Sequence, residues 1–400
     1  MHPRRPRLLV AAVGGALALG AVTGCSQWWS SSTLQSHPPP VPGGSRIAFV
    51  AAASRARDSL TNVVSVLPSG AGLTSVTRGG PSVTDAAWSA RTGGLVYARR
   101  WEGEGAGEKV AGRAGIFVQE SDGTTHLIRR CPLRCWASSF AWSPDGRQIA
   151  FVTRASSDTE IAVMNTDGSG FRVICAETRC GQGLDDPQWS PDGSRLLFSN
   201  QGVLGFIGVG ILPSGIWVAN ADGSGIRKLT QPNCRPGAPG LVRCAFDSQA
   251  RWSPDGRSIA FSRHPSIPLR PGHPNLRTSI ELMATDGSHL HPIYTCTGVL
   301  CAQAMTPSWA PDGSRLAIAP WVERRPRIIV LTTTGKSSEI RTCAGTRCVT
   351  PDDIGWEPDG RSLAFISTAR DSDAYVIGDT GMGMHRIGLH ARCCLTWLGH

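Results

Sequence analysis

Lysine is nearly absent from this chain. Only Lys109, Lys228 and Lys336 occur among its 40 basic residues, and the arginines form no run and no cluster with aromatic residues. Domains that bind nucleic acid concentrate basic residues on one stripe or patch. We therefore expect no nucleic-acid partner, and we interpret the net charge of +10 as solvated surface charge that would favour anionic polymers of a cell envelope.

Motifs of common enzymes are missing as well. The chain contains no Gly-x-Ser-x-Gly, no His-Glu-x-x-His, no P-loop and no dinucleotide fingerprint. These absences disfavour a hydrolase, a zinc peptidase and a nucleotide-dependent enzyme. Catalytic residues scattered over distant segments would leave no such motif, so an enzyme stays open as the less favoured class.

Long apolar runs are also rare, and the longest lies at the N-terminus. Three arginines precede an apolar stretch from Leu8 to Val22, which is too short to span a membrane comfortably. It ends in Val-Thr-Gly-Cys, with Cys25 as the expected lipidated residue of a bacterial lipobox. The alternative is an ordinary signal peptide with an incidental cysteine.

These features predict three segments. Residues 1–24 form a lipoprotein signal peptide, residues 25–43 form the lipidated cysteine with a Ser-, Pro- and Gly-rich tether, and residues 44–400 form the folded domain. Removing the signal peptide takes away three arginines and no acid, which lowers the formal charge from +10 to +7. We expect a protein held to the cell membrane by its lipid alone, on the extracytoplasmic side.

What the chain does contain is a repeat. The phrase Trp-Ser-Pro-Asp-Gly-Arg-Gln-Ile-Ala-Phe at residues 142–151 returns at 189–198, 252–261, 309–318 and 356–365, with a worn copy at 88–97. Tryptophan closes a short strand, Pro-Asp-Gly reverses the chain, and the apolar residues begin a second strand. A later Asp-Gly turn separates a third strand from a fourth. Four strands joined by tight turns are typical of a β-propeller blade.

The number of strand signals predicts seven blades. Second strands occur seven times, beginning with Ile47, but only six tryptophan-led first strands precede them. The seventh such strand lies at the C-terminus, around Trp397. We therefore predict an all-β, seven-bladed propeller of four-stranded antiparallel blades, in which the C-terminal strand joins the first blade and removes the open edge. Six blades with a damaged first unit is the alternative.

The repeat resembles that of TolB-type, WD-like propellers, and the resemblance covers residues 44–397. It implies the propeller fold, but such propellers serve as docking platforms, as peptidase gating domains and as sugar-processing enzymes. Unlike TolB, this chain has a lipobox, no N-terminal α/β domain and one more predicted blade. A role in the Tol-Pal system is therefore not expected.

Thirteen cysteines are unusual for an exported chain. Apart from Cys25 they fall into pairs between the fourth strand of one unit and the first strand of the next, which predicts a disulfide framework. Zinc sites are the alternative, and the partner of each member of the adjacent pair 393/394 stays open. The predicted disulfide cysteines are Cys131, Cys135, Cys175, Cys180, Cys234, Cys244, Cys296, Cys301, Cys343, Cys348, Cys393 and Cys394.

Acidic residues precede several of the tryptophan-led strands. Because the innermost strands line the channel of a propeller, we expect these carboxylates to ring its mouth, where they would bind a cationic peptide terminus or a Ca²⁺ ion. The alternative is local capping of loop amides. The candidate ligand-binding residues are Asp85, Asp185, Asp186, Asp247, Asp352 and Asp353.

The sequence thus predicts a lipid-anchored, extracytoplasmic propeller that acts as a binding scaffold. We expect a monomer whose partner is an envelope or secreted protein or a polysaccharide. No cofactor is predicted, apart from the Ca²⁺ alternative, and no catalytic residue is assigned. The alternative function is an extracytoplasmic carbohydrate-active enzyme, of lyase or glycosidase type, with its site at the channel mouth.

Overall fold

Each copy of the repeat forms a four-stranded antiparallel sheet, or blade, in the computed structural model of the chain. All described residues belong to one compact unit, Ser36–His400. The structure describes residues 46–52, 60–77, 82–100, 115–130, 136–154, 158–200, 214–232, 234–236, 242–264, 277–297, 305–320, 326–344, 347–367 and 372–398. The predicted signal peptide and tether, together with Cys25, Cys131, Cys135 and Cys301, lie outside these ranges.

Seven blades are present, which confirms the predicted fold class. From the innermost strand outward, blade 1 contains β32 (Ala391–Leu398), β1 (Arg46–Ala52), β2 (Thr61–Val66) and β3 (Thr74–Ser75). Blade 2 contains β4 (Ser82–Trp88), β5 (Leu95–Arg100), β6 (Gly115–Gln119) and β7 (Thr125–Arg130). Blade 3 contains β8 (Trp136–Trp142), β9 (Gln148–Arg154), β10 (Thr159–Asn165) and β11 (Arg172–Ala176). Blade 4 contains β12 (Leu184–Trp189), β13 (Arg195–Asn200), β14 (Gly215–Asn220) and β15 (Arg227–Lys228). Blade 5 contains β18 (Phe246–Trp252), β19 (Ser258–His264), β20 (Arg277–Ala284) and β21 (His291–Thr297). Blade 6 contains β22 (Ser308–Trp309), β23 (Arg315–Ile318), β24 (Arg327–Thr332) and β25 (Ser337–Arg341). Blade 7 contains β28 (Pro351–Trp356), β29 (Ser362–Ser367), β30 (Ala374–Gly378) and β31 (His385–Gly388).

Short elements lie in the linkers between blades. One turn of helix, α1 (Glu177–Cys180), connects blades 3 and 4. Two hairpins connect blades 4 and 5 and blades 6 and 7, namely β16 (Cys234–Pro236) with β17 (Val242–Cys244), and β26 (Cys343–Ala344) with β27 (Arg347–Cys348). Within the described ranges, no helix is long and apolar enough to cross a membrane.

The ring is closed by the C-terminal strand. Strand β32 pairs antiparallel with β1, so that Trp397 lies opposite Ile47 and Leu398 opposite Arg46. It also contacts the inner strands of both neighbouring blades, β28 and β4. The first blade therefore takes its innermost strand from the end of the chain, as the position of Trp397 predicts.

The Pro-Asp-Gly turn is held by its own side chains. Gly146 has a φ of 72°, in the left-handed region that favours glycine, and its N–H donates to the Ser143 carbonyl at 2.8 Å. The Ser143 hydroxyl donates to the Asp145 carboxylate at 2.6 Å, and the Arg147 N–H donates to the same oxygen at 3.0 Å. These bonds lower the pKa of Asp145, the Ser143 hydroxyl contributing most.

The repeated tryptophans join one blade to the next. The indole N–H of Trp142 donates to the Ala87 carbonyl of blade 2 at 3.0 Å, and Trp397 donates to the Gly355 carbonyl of blade 7 at 2.9 Å. The same bond occurs at four of the other five junctions, from Trp189, Trp252, Trp309 and Trp356. The repeated sequence motif therefore specifies both the turn and the contact between blades.

The two ends of the ring differ. All Pro-Asp-Gly and Asp-Gly turns lie at one end, which we call the turn face, and the second-to-third and fourth-to-first connections lie at the other, the loop face. Turns of neighbouring blades approach closely. Gly168 has a φ of 84°, and a Cβ there would lie only 2.3 Å from the Ile128 carbonyl oxygen of blade 2.

Disulfides staple the loop-face linkers. Cys175 is bonded to Cys180 and Cys343 to Cys348, while Cys296 is also disulfide-bonded. The backbones of residues 234 and 244 lie opposite each other in the hairpin of β16 and β17.

The adjacent pair differs from this pattern. Cys393 is bonded to Cys394, and both residues lie inside the innermost strand β32, not in a linker before it. The expectation that every pair lies in a linker is therefore wrong for this one, because the closing strand begins two residues earlier, at Ala391.

Candidate functional site

The innermost strands share a distortion halfway along their length. In blades 1, 3, 4, 5 and 7, two inner-strand residues lie opposite a single residue of the second strand, which is a β-bulge. The residue opposite each bulge is a buried phenylalanine: Phe49, Phe151, Phe198, Phe261 and Phe365. Because the bulge occurs at the same place in each blade, it forms a belt around the inside of the ring.

The first residue of each bulge lies three positions before the blade tryptophan and has left-handed backbone. The φ values of these five residues lie between 43° and 65°, although none is glycine. Such backbone is uncommon for other residues and costs free energy, so its recurrence marks a constrained place in the fold. The five residues are Ser139, Asp186, Gln249, Asp353 and Cys394.

Five of the six predicted acidic residues lie on this belt. Asp85, Asp186 and Asp353 are three positions before their tryptophans, and Asp185 and Asp352 are four positions before theirs. We call these five carboxylates the collar. They come from blades 2, 4 and 7. Asp85 is the fourth residue of its inner strand, Asp186 and Asp353 are the third residues of theirs, and Asp185 and Asp352 are the second.

Hydrogen bonds run from blade to blade through the collar. Asp85 accepts from the Ser139 N–H of blade 3 at 2.6 Å, and the Ser139 hydroxyl donates to Asp185 of blade 4 at 2.8 Å. Asp353 of blade 7 accepts from the Leu395 N–H of blade 1 at 2.9 Å. Asp85, Asp185 and Asp352 also accept from the N–H of the residue that follows each of them, which is the local capping of the alternative interpretation.

One positively charged side chain contacts the collar. Arg251, on the inner strand of blade 5, forms an ion pair with Asp186, whose other oxygen accepts from the Gln188 side-chain amide at 3.2 Å. Arg251 also lowers the pKa of Asp353, although less than burial raises it. Five carboxylates thus share one guanidinium group among the described contacts, inside a chain whose overall charge is positive.

Burial and mutual repulsion weaken the acidity of two collar groups. Burial raises the pKa of Asp85 to about 6, with smaller contributions from the charges of Asp185 and Asp353, while the Ser139 and Ala86 amides oppose the shift. Burial also raises the pKa of Asp353, and the Asp352 charge adds to this. The collar therefore gains negative charge as the pH rises through about 6.

The sixth predicted acid, Asp247, lies apart from the collar. It is fully buried, and Arg263 binds both of its oxygens, at 2.7 and 2.9 Å. Its N–H donates to the Ser214 hydroxyl at 2.9 Å. Next to it, burial lowers the pKa of His264 to about 4, so this imidazole is neutral at physiological pH.

No group of three or more His, Cys, Asp or Glu side chains that could hold a metal ion occurs among the residues that the structure describes. The collar carboxylates are spread over three blades and are engaged by backbone amides. We therefore do not carry the Ca²⁺ alternative or the zinc alternative into the proposals below.

Sequence reasoning missed the non-acidic residues of the belt. Ser139, Gln249 and Cys394 occupy the same position as Asp186 and Asp353 in their own blades, and the Gln249 Oε1 atom is buried without a hydrogen-bond partner. The Cys394 sulfur lies 3.2 Å from an Asp85 oxygen. Aligning the copies on their tryptophans and reading three positions back would have found all of them.

Comparisons with known proteins agree with the repeat. The uncharacterized protein Atu1656 of Agrobacterium fabrum is 26% identical over 215 residues, which are 52% of this chain and 61% of that protein. The Tol-Pal system protein TolB of Anaeromyxobacter dehalogenans is 31% identical over 116 residues, 29% of this chain and 24% of that protein. The chain thus spans less than two thirds of either relative. No family model matches it.

Solved structures support the fold. A puromycin-hydrolyzing peptidase of Mycobacterium tuberculosis has a TM-score of 0.58 at 15% identity, over 87% of this chain and 52% of that one. An oligogalacturonate lyase in complex with manganese has a TM-score of 0.57 at 14% identity, over 80% and 83%. Likenesses at this identity show the fold alone. They confirm the β-propeller fold, and the sequence matches show that the chain is similar to TolB over part of its length.

Proposed function

We propose that this chain is an exported, lipid-anchored propeller that acts as a binding scaffold and receives a cationic group of a protein ligand at the collar. Export and anchoring rest on the basic head, the apolar stretch and Cys25 of the lipobox. The disulfides of the described linkers support an oxidising compartment outside the cytoplasm. A match to proteins of the Tol-Pal system supports a place in the cell envelope.

The path of the chain supports an orientation. Strand β1 begins at the turn face, because Arg46 lies opposite Leu398 while Ala51 lies opposite Ala391 at the loop-face end. A lipid on Cys25 would therefore be attached, through the predicted tether, at the turn-face side of the ring. The loop face, where the connections vary most between blades, lies opposite the point of attachment and would be available to partners.

The observation that carries the proposal is the imbalance of charge at the collar. Among the described contacts of Asp85, Asp186, Asp352 and Asp353, one guanidinium, that of Arg251, forms an ion pair, and it pairs with Asp186. The belt that carries them has an unusual backbone in five blades. Burial raises the pKa of Asp85 most, the charges of Asp185 and Asp353 raise it a little further, and a bound cation would relieve that repulsion. A lysine or arginine side chain, or a free amino terminus, supplies such a cation on a flexible stem.

The test uses defined cationic probes. Full-length protein in detergent is titrated with a lysine-rich peptide, an arginine-rich peptide and a glutamate-rich peptide, and binding is measured by calorimetry. We expect the two cationic peptides to bind and the double variant Asp186→Asn/Asp353→Asn to lose about tenfold in affinity, since each interfacial ion pair of this kind contributes on the order of 1 kcal/mol.

A matched control removes the same charge elsewhere. Asp167 and Asp222 are exposed on the turn face, so Asp167→Asn/Asp222→Asn alters the net charge equally without touching the collar. Equal losses in the two double variants would show that only net charge matters and would refute the proposal. Because Asp85 ionises near pH 6, binding should also strengthen between pH 5 and pH 7.

The enzymatic alternative has support only from the fold. An acid with a histidine near it occurs at Asp247 and His264, but Arg263 occupies both oxygens of that buried carboxylate. A fold shared with a lyase and a peptidase does not specify a reaction. Incubation with polygalacturonate, followed by assay for unsaturated products, would detect the lyase activity that we do not expect.

A further inference from the structure

The two faces of the ring carry different charge. The turn face has nine exposed aspartates, one in each of nine tight turns, and an exposed arginine directly follows three of these turns. Serine hydroxyls and backbone amides lower the pKa of most of these aspartates, so that they are ionised at neutral pH. The nine are Asp122, Asp145, Asp167, Asp192, Asp222, Asp255, Asp286, Asp312 and Asp359.

Exposed charge at the loop face is mostly positive. Within the described residues, and apart from Arg386, which forms an ion pair with Asp373, six exposed arginines lie in a linker or within two residues of a strand end on this face. Three exposed acids meet the same criterion: Asp158, Glu339 and Asp352. We call these six the rim. They come from blades 1, 2, 3, 5 and 6 and from the linker between blades 3 and 4: Arg130, Arg154, Arg179, Arg277, Arg341 and Arg392.

The linkers add a pattern of their own. An arginine directly precedes a cysteine in five of the six cysteine-bearing segments, at positions 134, 179, 243, 347 and 392. Within the described ranges, Arg179 lies in α1 beside the disulfide of Cys175 and Cys180, and Arg392 precedes the disulfide inside β32. Disulfides therefore fix the backbone at places where arginine is presented on the loop face.

We propose that the rim binds an anionic polymer of the cell envelope, one with carboxylate or phosphodiester groups spaced along a flexible chain. Guanidinium groups are suited to both groups because their planar donors match two oxygens at once. A small anion could contact only one or two of the rim residues, since they are spread around five blades. A polymer could contact several in turn and gain from multivalency.

The orientation of the chain favours a polymer over the membrane surface. Because β1 begins at the turn face, a lipid anchor at Cys25 would attach the chain on the side of the ring opposite the rim. The aspartates of the turn face would also be repelled by anionic lipid. An anionic polymer extending outward from the membrane is the polyanion that the loop face would meet.

The rim and the collar have no residue in common. The collar carboxylates lie one to three residues inside the loop-face ends of their inner strands. The rim proposal does not depend on the collar, and variants of one site leave the residues of the other unchanged.

The test is binding of the full-length protein in detergent to immobilised polymers. Polygalacturonate supplies carboxylates, poly(glycerol phosphate) supplies phosphodiesters, and dextran is the neutral control. We expect binding to one or both polyanions, no binding to dextran, and an affinity that falls as salt increases. The triple variant Arg130→Gln/Arg179→Gln/Arg341→Gln should bind about 30-fold more weakly, or about threefold for each exposed arginine.

A matched triple variant separates the rim from net charge. Arg147, Arg257 and Arg361 are exposed on the turn face, each directly after a Pro-Asp-Gly turn. The variant Arg147→Gln/Arg257→Gln/Arg361→Gln should keep most of the affinity. Equal loss in both triple variants, or no loss in the rim variant, overturns the proposal. So does capture by anionic lipid vesicles but by neither polymer. Thermal unfolding of each variant confirms that it is folded.

Discussion

The pKa of Asp85 leads to a specific prediction about stability. In the unfolded chain this carboxyl ionises near its usual value of 3.8, whereas in the folded ring its pKa is raised to about 6, chiefly by burial. Between these two values the folded protein keeps a proton that the unfolded chain has released. The free energy of unfolding should therefore fall as the pH rises through this window, and level off above it.

The size of the loss in stability follows from the difference between the pKa of Asp85 in the unfolded chain and its pKa in the folded protein. Each pH unit between the two pKa values corresponds to about 1.4 kcal/mol, so ionisation of Asp85 should destabilise the fold by about 3 kcal/mol between pH 3.8 and pH 6. Asp85→Asn removes this titration. An amide cannot accept from both the Ser139 and the Ala86 N–H groups, so the variant also loses a hydrogen bond, at about 1–3 kcal/mol at every pH.

At neutral pH, the stability that the variant gains by losing the buried charge should offset the stability that it loses with the hydrogen bond. In acid the carboxyl of the parent is protonated, so only the loss of the hydrogen bond should remain. Urea unfolding followed by tryptophan fluorescence, at steps from pH 3.5 to pH 7.5, should show Asp85→Asn nearly as stable as the parent at pH 7 and clearly less stable at pH 4. Asp167→Asn is the control, because hydrogen bonds lower the pKa of that exposed carboxyl and its contribution is lost, not gained, as the pH falls. A stability difference between Asp85→Asn and the parent that does not change with pH would refute the reasoning.

Three further variants test the packing of the ring. Trp397→Phe removes the indole donor that closes the ring at 2.9 Å and should lower the free energy of unfolding by about 1–3 kcal/mol; unchanged thermal stability would contradict the closing role. Arg263→Met leaves the Asp247 carboxylate buried without its partner and should lower the free energy of unfolding by about 3–5 kcal/mol. Adding Asp247→Asn to this variant should restore part of that free energy. If it restores none, the ion pair does not stabilise the fold. Cys175→Ser/Cys180→Ser removes a disulfide that closes a short loop and should lower the free energy of unfolding, measured by chemical denaturation, by only about 2 kcal/mol. A variant that fails to fold would show that this disulfide does more than shape its linker.

Much of the fold could be predicted because the information is local and repeated. Pro-Asp-Gly defines a turn by its own backbone preferences, and Gly146 adopts the left-handed φ that the turn requires. The missing first strand of blade 1 could be assigned to Trp397 because every other blade has a tryptophan at that position. The contact that each tryptophan makes with the next blade follows the same repeat.

The collar could be predicted only in part. Its acids were identified by their position before the tryptophans, but the backbone that carries them depends on a bulge opposite a buried phenylalanine of the neighbouring strand, such as Phe151. The contribution of Ser139 depends on a carboxylate 54 residues earlier in the chain. The separation of Asp247 from the other acids depends on Arg263, which lies opposite it on the next strand.

The sequence by itself determined the number of blades, the turns between strands and the closing partner of the first blade, because each of these depends on neighbours in the chain or on an exact repeat. Only the tertiary structure decided which acids face one another, where the disulfide of Cys393 and Cys394 lies, and how charge divides between the two faces. The reason is that closing a ring brings together residues from different blades, and the energies of those contacts depend on burial and distance, which no single segment encodes.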